Sequence, residues 1–277
     1  MTQEDTSRKA PARNRRRIPG PTGQLSLIDV GGGSGGSGES DRLPVLFVHG
    51  LGGRAEQWLS QLDALAPSRR AGAVTLRGHA DSGIETGAPL DPFSLSRDVL
   101  TASGSLGYER FVLVGHSLGA LVAIAAAREA PERVAGLFLV DPNGDLTRMP
   151  DDQVRSYLET LRRDPKAEMA FQFRHILTEA RPEVAEIILD DLATVEAEVL
   201  MGALEGASRF PAAEALEAYE GPKACLITPL NSLPVSLHNL VEGVRVERIL
   251  GTGHWPMLDR PEEVTAILEG FLATADP

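Results

Sequence analysis

The stretch Gly115-His116-Ser117-Leu118-Gly119 is a G-x-S-x-G pentapeptide, and its flanks give it weight. Phe111-Val112-Leu113-Val114 runs into it as a short apolar strand, and Leu118 to Arg128 runs out of it as a helix. A serine on a tight strand-to-helix turn is pushed clear of both elements. Its hydroxyl is presented to a ligand, and the N-terminus of the following helix faces any negative charge that develops there. The chemistry such a serine can do is nucleophilic attack, provided a base takes its proton.

Composition fits a soluble globular protein of ordinary type: of 277 residues, 42% are hydrophobic and 24% charged. No apolar run reaches the ~20 residues that cross a bilayer, so a membrane is not expected as a partner. Cys225 is the only cysteine, which forbids an internal disulfide and suits a reducing compartment; the expected location is the cytoplasm. Cys225 lies in the apolar run KACLIT and reads as a small buried hydrophobe. Charge is uneven. Residues 1–20 carry a net +4, whereas the rest carries −16, an acidic body that argues against nucleic acid as a partner. Residues 1–22 are expected to be a disordered basic arm, because charge and proline dominate and almost nothing in them is apolar. No apolar stretch follows the arginines, so no secretory signal is read there.

The elements that would hold Ser117 in place can be traced by periodicity. Strands are expected at 24–30, 44–48, 73–76, 111–114, 135–140, 223–228 and 244–250, with Gly31–Ser40 (GGGSGGSGES) as a flexible turn. Helices are expected at about 55–66, 92–104, 118–128 and from Pro261 onward. Short, wholly apolar strands alternating with helices imply a mostly parallel sheet covered on both faces. The alternation breaks between 143 and 221. That stretch predicts helices near 151–163, 165–179, 183–206 and 212–219, and it carries −9 of the chain's −12 charges. Its apolar residues are expected over the carboxyl ends of the strands, where open α/β sheets bind ligands.

With these elements placed, the chain resembles the α/β-hydrolase superfamily over roughly residues 23–275. The motifs that carry the resemblance are His49-Gly50, Arg77-Gly78-His79 with Ser82, the Gly115–Gly119 elbow, and Gly251-Thr252-Gly253-His254-Trp255-Pro256, each after its strand and in family order. The resemblance implies an α/β core at 23–142 and 222–277 with a helical cap at 143–221. It implies Ser117 as nucleophile, His254 as general base, and the backbone N–H groups of Leu51 and Leu118 as the oxyanion hole. The loop that usually bears the acid reads Pro229-Leu230-Asn231-Ser232-Leu233-Pro234 and holds no carboxylate. The acid is therefore sought after the preceding strand, at Asp141 first and Asp145 second, with Asn231 or Ser232 as the alternative group that orients the histidine.

Gly50, His116, Phe171, Phe173, Met201 and Trp255 are the expected substrate-binding residues. No histidine pair falls at metal-ligand spacing with a third ligand, so neither a metal nor another cofactor is expected. The implied activity is hydrolysis of a carboxylic ester or lactone with a hydrophobic part. The same groups would also serve a C–C bond hydrolase, a thioesterase or an amidase. A binding protein that keeps the shell without efficient catalysis is the reading of another class. The expected partner is a small-molecule substrate, and a homodimer is left open.

Overall fold

The computed structural model describes residues 11–31 and 42–276. The run GGGSGGSGES lies outside the described residues from Gly32 onward. In chain order the elements open with β1 (Asn14–Gly20), β2 (Gly23–Val30), β3 (Val45–Val48), a 3₁₀ turn at Ala55–Trp58, α1 (Leu59–Leu65), β4 (Ala71–Thr75) and α2 (Pro92–Ser105). Next come β5 (Phe111–His116), α3 (Leu118–Glu129) and β6 (Val134–Val140). Five insertion helices follow: α4 (Asp151–Arg163), α5 (Pro165–Ile176), α6 (Pro182–Ala193), α7 (Ala197–Ser208) and α8 (Ala212–Glu217). The chain closes with β7 (Lys223–Ile227), α9 (Leu237–Leu240), β8 (Arg245–Arg248), α10 (Pro256–Asp259) and α11 (Pro261–Ala275).

The strands form one sheet in the order β1-β2-β4-β3-β5-β6-β7-β8. β1, β2 and β4 pair antiparallel, and from β4 to β8 all pairs are parallel. β3, β5 and β6 are buried throughout, as strands covered on both faces must be. The order reverses at β3, which has β4 on one side and β5 on the other, so a crevice opens at the carboxyl ends of β3 and β5. Register levels those ends. Val48 pairs with Gly115, His116 with Val140, and Val140 with Leu226. The residues that follow each strand therefore emerge side by side.

Two expectations are corrected. The N-terminal arm is ordered from residue 11 on, because Asn14–Gly20 pairs residue for residue with Gly23–Asp29. Its arginines meet carboxylates from distant parts of the acidic body: Arg13 bonds Asp63 (Nε to Oδ1, 2.9 Å), Arg15 pairs with Glu56, and Arg16 bonds Asp29 (2.9 Å). Charge that reads as solvating in the sequence is neutralised in the fold. The long helix expected at 183–206 is two helices. The Asp191 carbonyl accepts from the Thr194 hydroxyl (2.7 Å) and the Thr194 N–H (3.1 Å), which tightens the last turn and ends α6. The caps of α2 and α5 follow rule: Asp91 accepts from Ser94 N–H and Asp164 from Ala167 N–H, each with proline next. Cys225 is fully buried, and burial pushes its thiol up to about 12. Among the described residues no helix is long and apolar enough to cross a membrane.

Candidate active site

Ser117 stands between β5 and α3 with φ 52° and ψ −116°. A non-glycine residue held there stores strain, which persists only where the surroundings impose it. They do so through glycines. A Cβ on Gly115 would lie 2.3 Å from the Gly119 carbonyl oxygen, and one on Gly119 would lie 2.4 Å from that of His49. The helix start can therefore press directly on β5 and on the end of β3. Gly50 plays the same part from the other side, since a Cβ there would meet His116 Nδ1 at 2.7 Å and Ser117 Cβ at 3.1 Å.

The turn after β3 closes by a bond from Gly53 N–H to the Gly50 carbonyl (3.1 Å), with Leu51 inside it. His49 braces this turn. Its Nδ1–H donates to the Gly50 carbonyl (2.7 Å), and its Nε2 accepts the Leu76 N–H (3.0 Å). Burial, with His79 nearby, holds its pKa well below the usual imidazole value, so the ring is neutral. The N–H groups of Leu51 and Leu118 have no acceptor among the described residues.

Asp141 follows β6, also at positive φ (42°), and is 1% exposed. His254 Nδ1–H donates to its Oδ2 at 2.6 Å. Thr228, just past β7, donates its N–H to Oδ1 and its hydroxyl to Oδ2, both at 2.9 Å. Burial pushes the Asp141 carboxyl up, but the His254 ring and the two Thr228 bonds outweigh it and hold the carboxyl below its ordinary value. Asp141 can thus fix one tautomer of His254 and stabilise a positive charge on its ring.

The Ser117 hydroxyl donates to Asn143 Oδ1 (2.8 Å), its one hydrogen-bond partner among the described residues. Asn143 and His254 both line a cavity of about 470 Å³, a size suited to small ligands. Its other walls are mainly apolar and come from Leu146, Met149, α4 (Val154), α7 (Leu204) and the 229–234 loop (Leu230, Leu233). No lysine or arginine is among the residues lining it.

The substrate-binding residues expected from sequence are elsewhere. Phe171 is 70% exposed, on the outer face of α5. Phe173 and Trp255 are buried against each other (ring centroids 5.2 Å), and Trp255 packs edge-on against His254. Met201 packs on the hydrophobic core rather than lining the cavity. His116 is fully buried, and its Nε2–H donates to the His254 carbonyl (2.8 Å). Burial, then the neighbouring His254, pushes its pKa down to about 3. It holds the His254 backbone and does not face the cavity. Gly50 gives close approach, not a binding surface.

Of the candidates for the group that orients His254, Asp141 is the one hydrogen-bonded to its ring among the described residues. Asp145 is fully buried and accepts from Thr147 N–H, the Thr147 hydroxyl and Ala213 N–H, so it ties α8 to the start of the insertion. Asn231 donates to the Pro142 carbonyl (2.8 Å), and Ser232 is exposed. Neither is hydrogen-bonded to His254. Asn143 and Thr228 escaped the sequence reading. Both were legible only as neighbours of the right positions, Asn143 two residues after Asp141 and Thr228 at the head of the loop without a carboxylate. Among the described residues no group of three His, Cys, Asp or Glu is placed to hold a metal ion.

The sequence matches the profile described as "Alpha/beta hydrolase family" over residues 45–267. Among curated relatives, a (lyso)-N-acylphosphatidylethanolamine lipase of Bos taurus is 36% identical over 121 residues, which cover 42% of this chain and 35% of the relative. The chain spans about a third of the length of the curated relatives it matches first. A thermophilic esterase from Thermogutta terrifontis has the same fold, with a TM-score of 0.77 at 25% identity over 95% of this chain and 100% of that one. The enol-lactonase from Burkholderia xenovorans superposes equally well (TM-score 0.77, 18% identity, 93% and 100% covered), a likeness of fold alone.

Proposed function

Since the chain belongs to the alpha/beta hydrolase family, whose profile spans residues 45–267, we propose that it is a serine hydrolase acting on a neutral carboxylic ester or lactone with an apolar part. Ser117 is the nucleophile, His254 the base, Asp141 the group that orients and charges His254, and the N–H groups of Leu51 and Leu118 the oxyanion hole. The observation that carries this reading is the Asp141–His254 bond of 2.6 Å, held at the wall of an apolar cavity that Asn143 joins to Ser117.

Turnover begins with the Ser117 hydroxyl turning from Asn143 to His254 Nε2. The serine oxygen adds to the substrate carbonyl as its proton passes to His254, and the carbonyl oxygen becomes negative against the two N–H groups. Removing one such donor typically costs about 3 kcal/mol of transition-state stabilisation. The protonated His254 gives its proton to the departing alcohol, leaving an acyl-serine. Water, deprotonated by His254, then releases the acid.

The cavity favours neutral substrates over anionic ones. A carboxylate placed among Leu146, Met149, Val154 and Leu204 would lose water without gaining a cationic partner, a cost of several kcal/mol. This weighs against a C–C bond hydrolase of carboxylate-bearing dienones. It does not separate ester from thioester.

A panel of p-nitrophenyl esters, a lactone, a thioester and a carboxylate-bearing dienone tests the reading. The expected result is turnover of neutral esters or lactones that rises with acyl length from acetate and is lost in Ser117→Ala and His254→Ala. Turnover confined to the dienone, or retained in either variant, would contradict it.

A further inference from the structure

Helix α6 is gripped at both ends by loops of the catalytic machinery. At its N-terminal end, the Arg181 N–H donates to Asp259 Oδ1 (3.0 Å). The other oxygen of Asp259 accepts the Thr252 hydroxyl (2.9 Å) and the Gly253 N–H (3.1 Å). Just ahead of α6, the Ile176 carbonyl accepts the His254 N–H (3.3 Å). This end thus holds the loop that carries His254.

At the other end stands Asp191, 3% exposed, reaching out of the insertion to the turn after β3. It accepts from Arg54 Nε (2.6 Å) and from Gln57 Nε2 (3.0 Å). Gln57 in turn lies flat on the turn, since a Cβ on Gly53 would meet Gln57 Oε1 at 2.5 Å. Gly52, at φ +76°, sits under Leu192, whose Cδ1 would be 2.9 Å from an added Cβ. Leu192 thus lies against Gly52, and the Gln57 side chain that Asp191 holds lies against Gly53, the two residues that follow Leu51. The turn has two glycines in succession, Gly52 and Gly53, and its one closing backbone bond is Gly53 to Gly50. Left alone, such a segment is loose. A buried carboxylate binding two donors from the same loop is a rigid anchor.

We propose that Asp191 is a positioning residue: through Arg54 and Gln57 it fixes the peptide of Leu51 as an oxyanion donor, so that the seating of the insertion sets the catalytic competence of the core. This rests on the hydrolase reading given above. Both ends of α6 being tied, the insertion is a fixed roof, and substrate enters beside the exposed Tyr157, Leu230 and Leu233 at the cavity's edge.

The test compares wild type with Asp191→Asn and Arg54→Met. The Asn amide keeps the shape but sets an N–H₂ against the donors of Arg54 or Gln57. Each protein is assayed with p-nitrophenyl butyrate and with phenylboronic acid, an inhibitor that adds to a serine hydroxyl. A boron–oxygen bond forms, the proton passes to His254, and the tetrahedral boron presents an oxygen to the hole. The expected result is kcat lowered about 10- to 100-fold with KM within twofold, against the 10²–10³ of losing a donor outright. Boronate affinity falls by a similar factor, and the pH midpoint of kcat/KM stays put because Asp141 and His254 are untouched. Arg54→Met gives the same pattern and serves should Asp191→Asn fail to fold. A drop in thermal stability alone, with kcat and boronate affinity within twofold of wild type, overturns the proposal, as does a change in KM alone. A wild type with neither ester turnover nor boronate binding instead overturns the hydrolase reading.

Discussion

Asp141 Oδ2 and His254 Nδ1 are 2.6 Å apart although 113 residues separate them in the chain. Two strands make that meeting: Asp141 directly follows β6, and Thr228 directly follows β7 beside it and donates to both carboxylate oxygens. On the proposed mechanism the loop after β7 need not supply an acid. Its Leu230 and Leu233 line the cavity instead.

The first consequence concerns the acid. Asp141→Asn is expected to lower kcat on a p-nitrophenyl ester by as much as ~10⁴ with little change in KM, since Asn can orient His254 but cannot stabilise its positive charge. Asp145→Asn should keep kcat within a few-fold and lower the unfolding midpoint, because its three bonds are structural. Equal kcat losses in the two variants would contradict the assignment.

Acid stability follows from buried imidazoles. His79 is held down to about 4 by burial, and His116 to about 3 by burial and His254, against ~6.5 in an unfolded chain. The folded form refuses protons that the unfolded form takes. Their contribution is whole above about pH 6.5 and is lost as pH falls toward those lower values. Each such histidine lowers unfolding free energy by up to about 1.4 kcal/mol per pH unit in that window. His49 acts in the same direction. Asp141, depressed below the carboxylate range, adds a loss that begins only under about pH 4. Urea unfolding at pH 7.5, 6 and 5 should show a steepening fall; equal stability at the three values would refute this.

Much of this arrangement was legible in the sequence, and the reasons for the rest are physical. Strand identities came through because β3 and β6 carry no polar side chain and β5 only His116 at its end, and the place of Ser117 on the strand-to-helix turn because both its flanks were readable. The β1 strand was not legible, since its Arg15 and Arg16 find Glu56 and Asp29 only after folding. The cavity walls were not legible, because an apolar side chain on an amphipathic helix reads the same whether it lines a cavity or packs on a neighbour. Phe171 faces solvent, while Phe173 and Trp255 brace His254 from behind. Helical periodicity shows that a face is buried, not against what.

Gly50→Ala tests the close approach at the nucleophile. The added methyl would stand 2.7 Å from His116 Nδ1 and 3.1 Å from Ser117 Cβ, both fixed by packing. Overpacking of this kind costs about 1–3 kcal/mol of stability, and the displaced turn carries Leu51 with it. The expected outcome is a lower melting temperature together with kcat reduced tenfold or more. Wild-type kcat would show that the turn has room to move.

Asn143 accepts the Ser117 hydroxyl, which on the proposed mechanism holds the nucleophile at rest. Asn143→Ala frees the Ser117 hydroxyl from an acceptor at 2.8 Å, a bond of about 0.5–1.5 kcal/mol. The rate of inactivation by a small fluorophosphonate should rise about two- to tenfold, with the melting temperature little changed. A slower reaction would show that Asn143 assists attack rather than restraining it.

The central claim is that Ser117 is made nucleophilic by the His254–Asp141 pair, and the most direct measurement is stoichiometric labelling. Folded protein is treated with a fluorophosphonate, and the modified residue is located by mass spectrometry in wild type, His254→Ala and Asp141→Asn. The account requires one label per chain, on Ser117, with the rate cut by orders of magnitude in both variants. Labelling that falls on another residue, or that proceeds on Ser117 at an undiminished rate without His254, would contradict it.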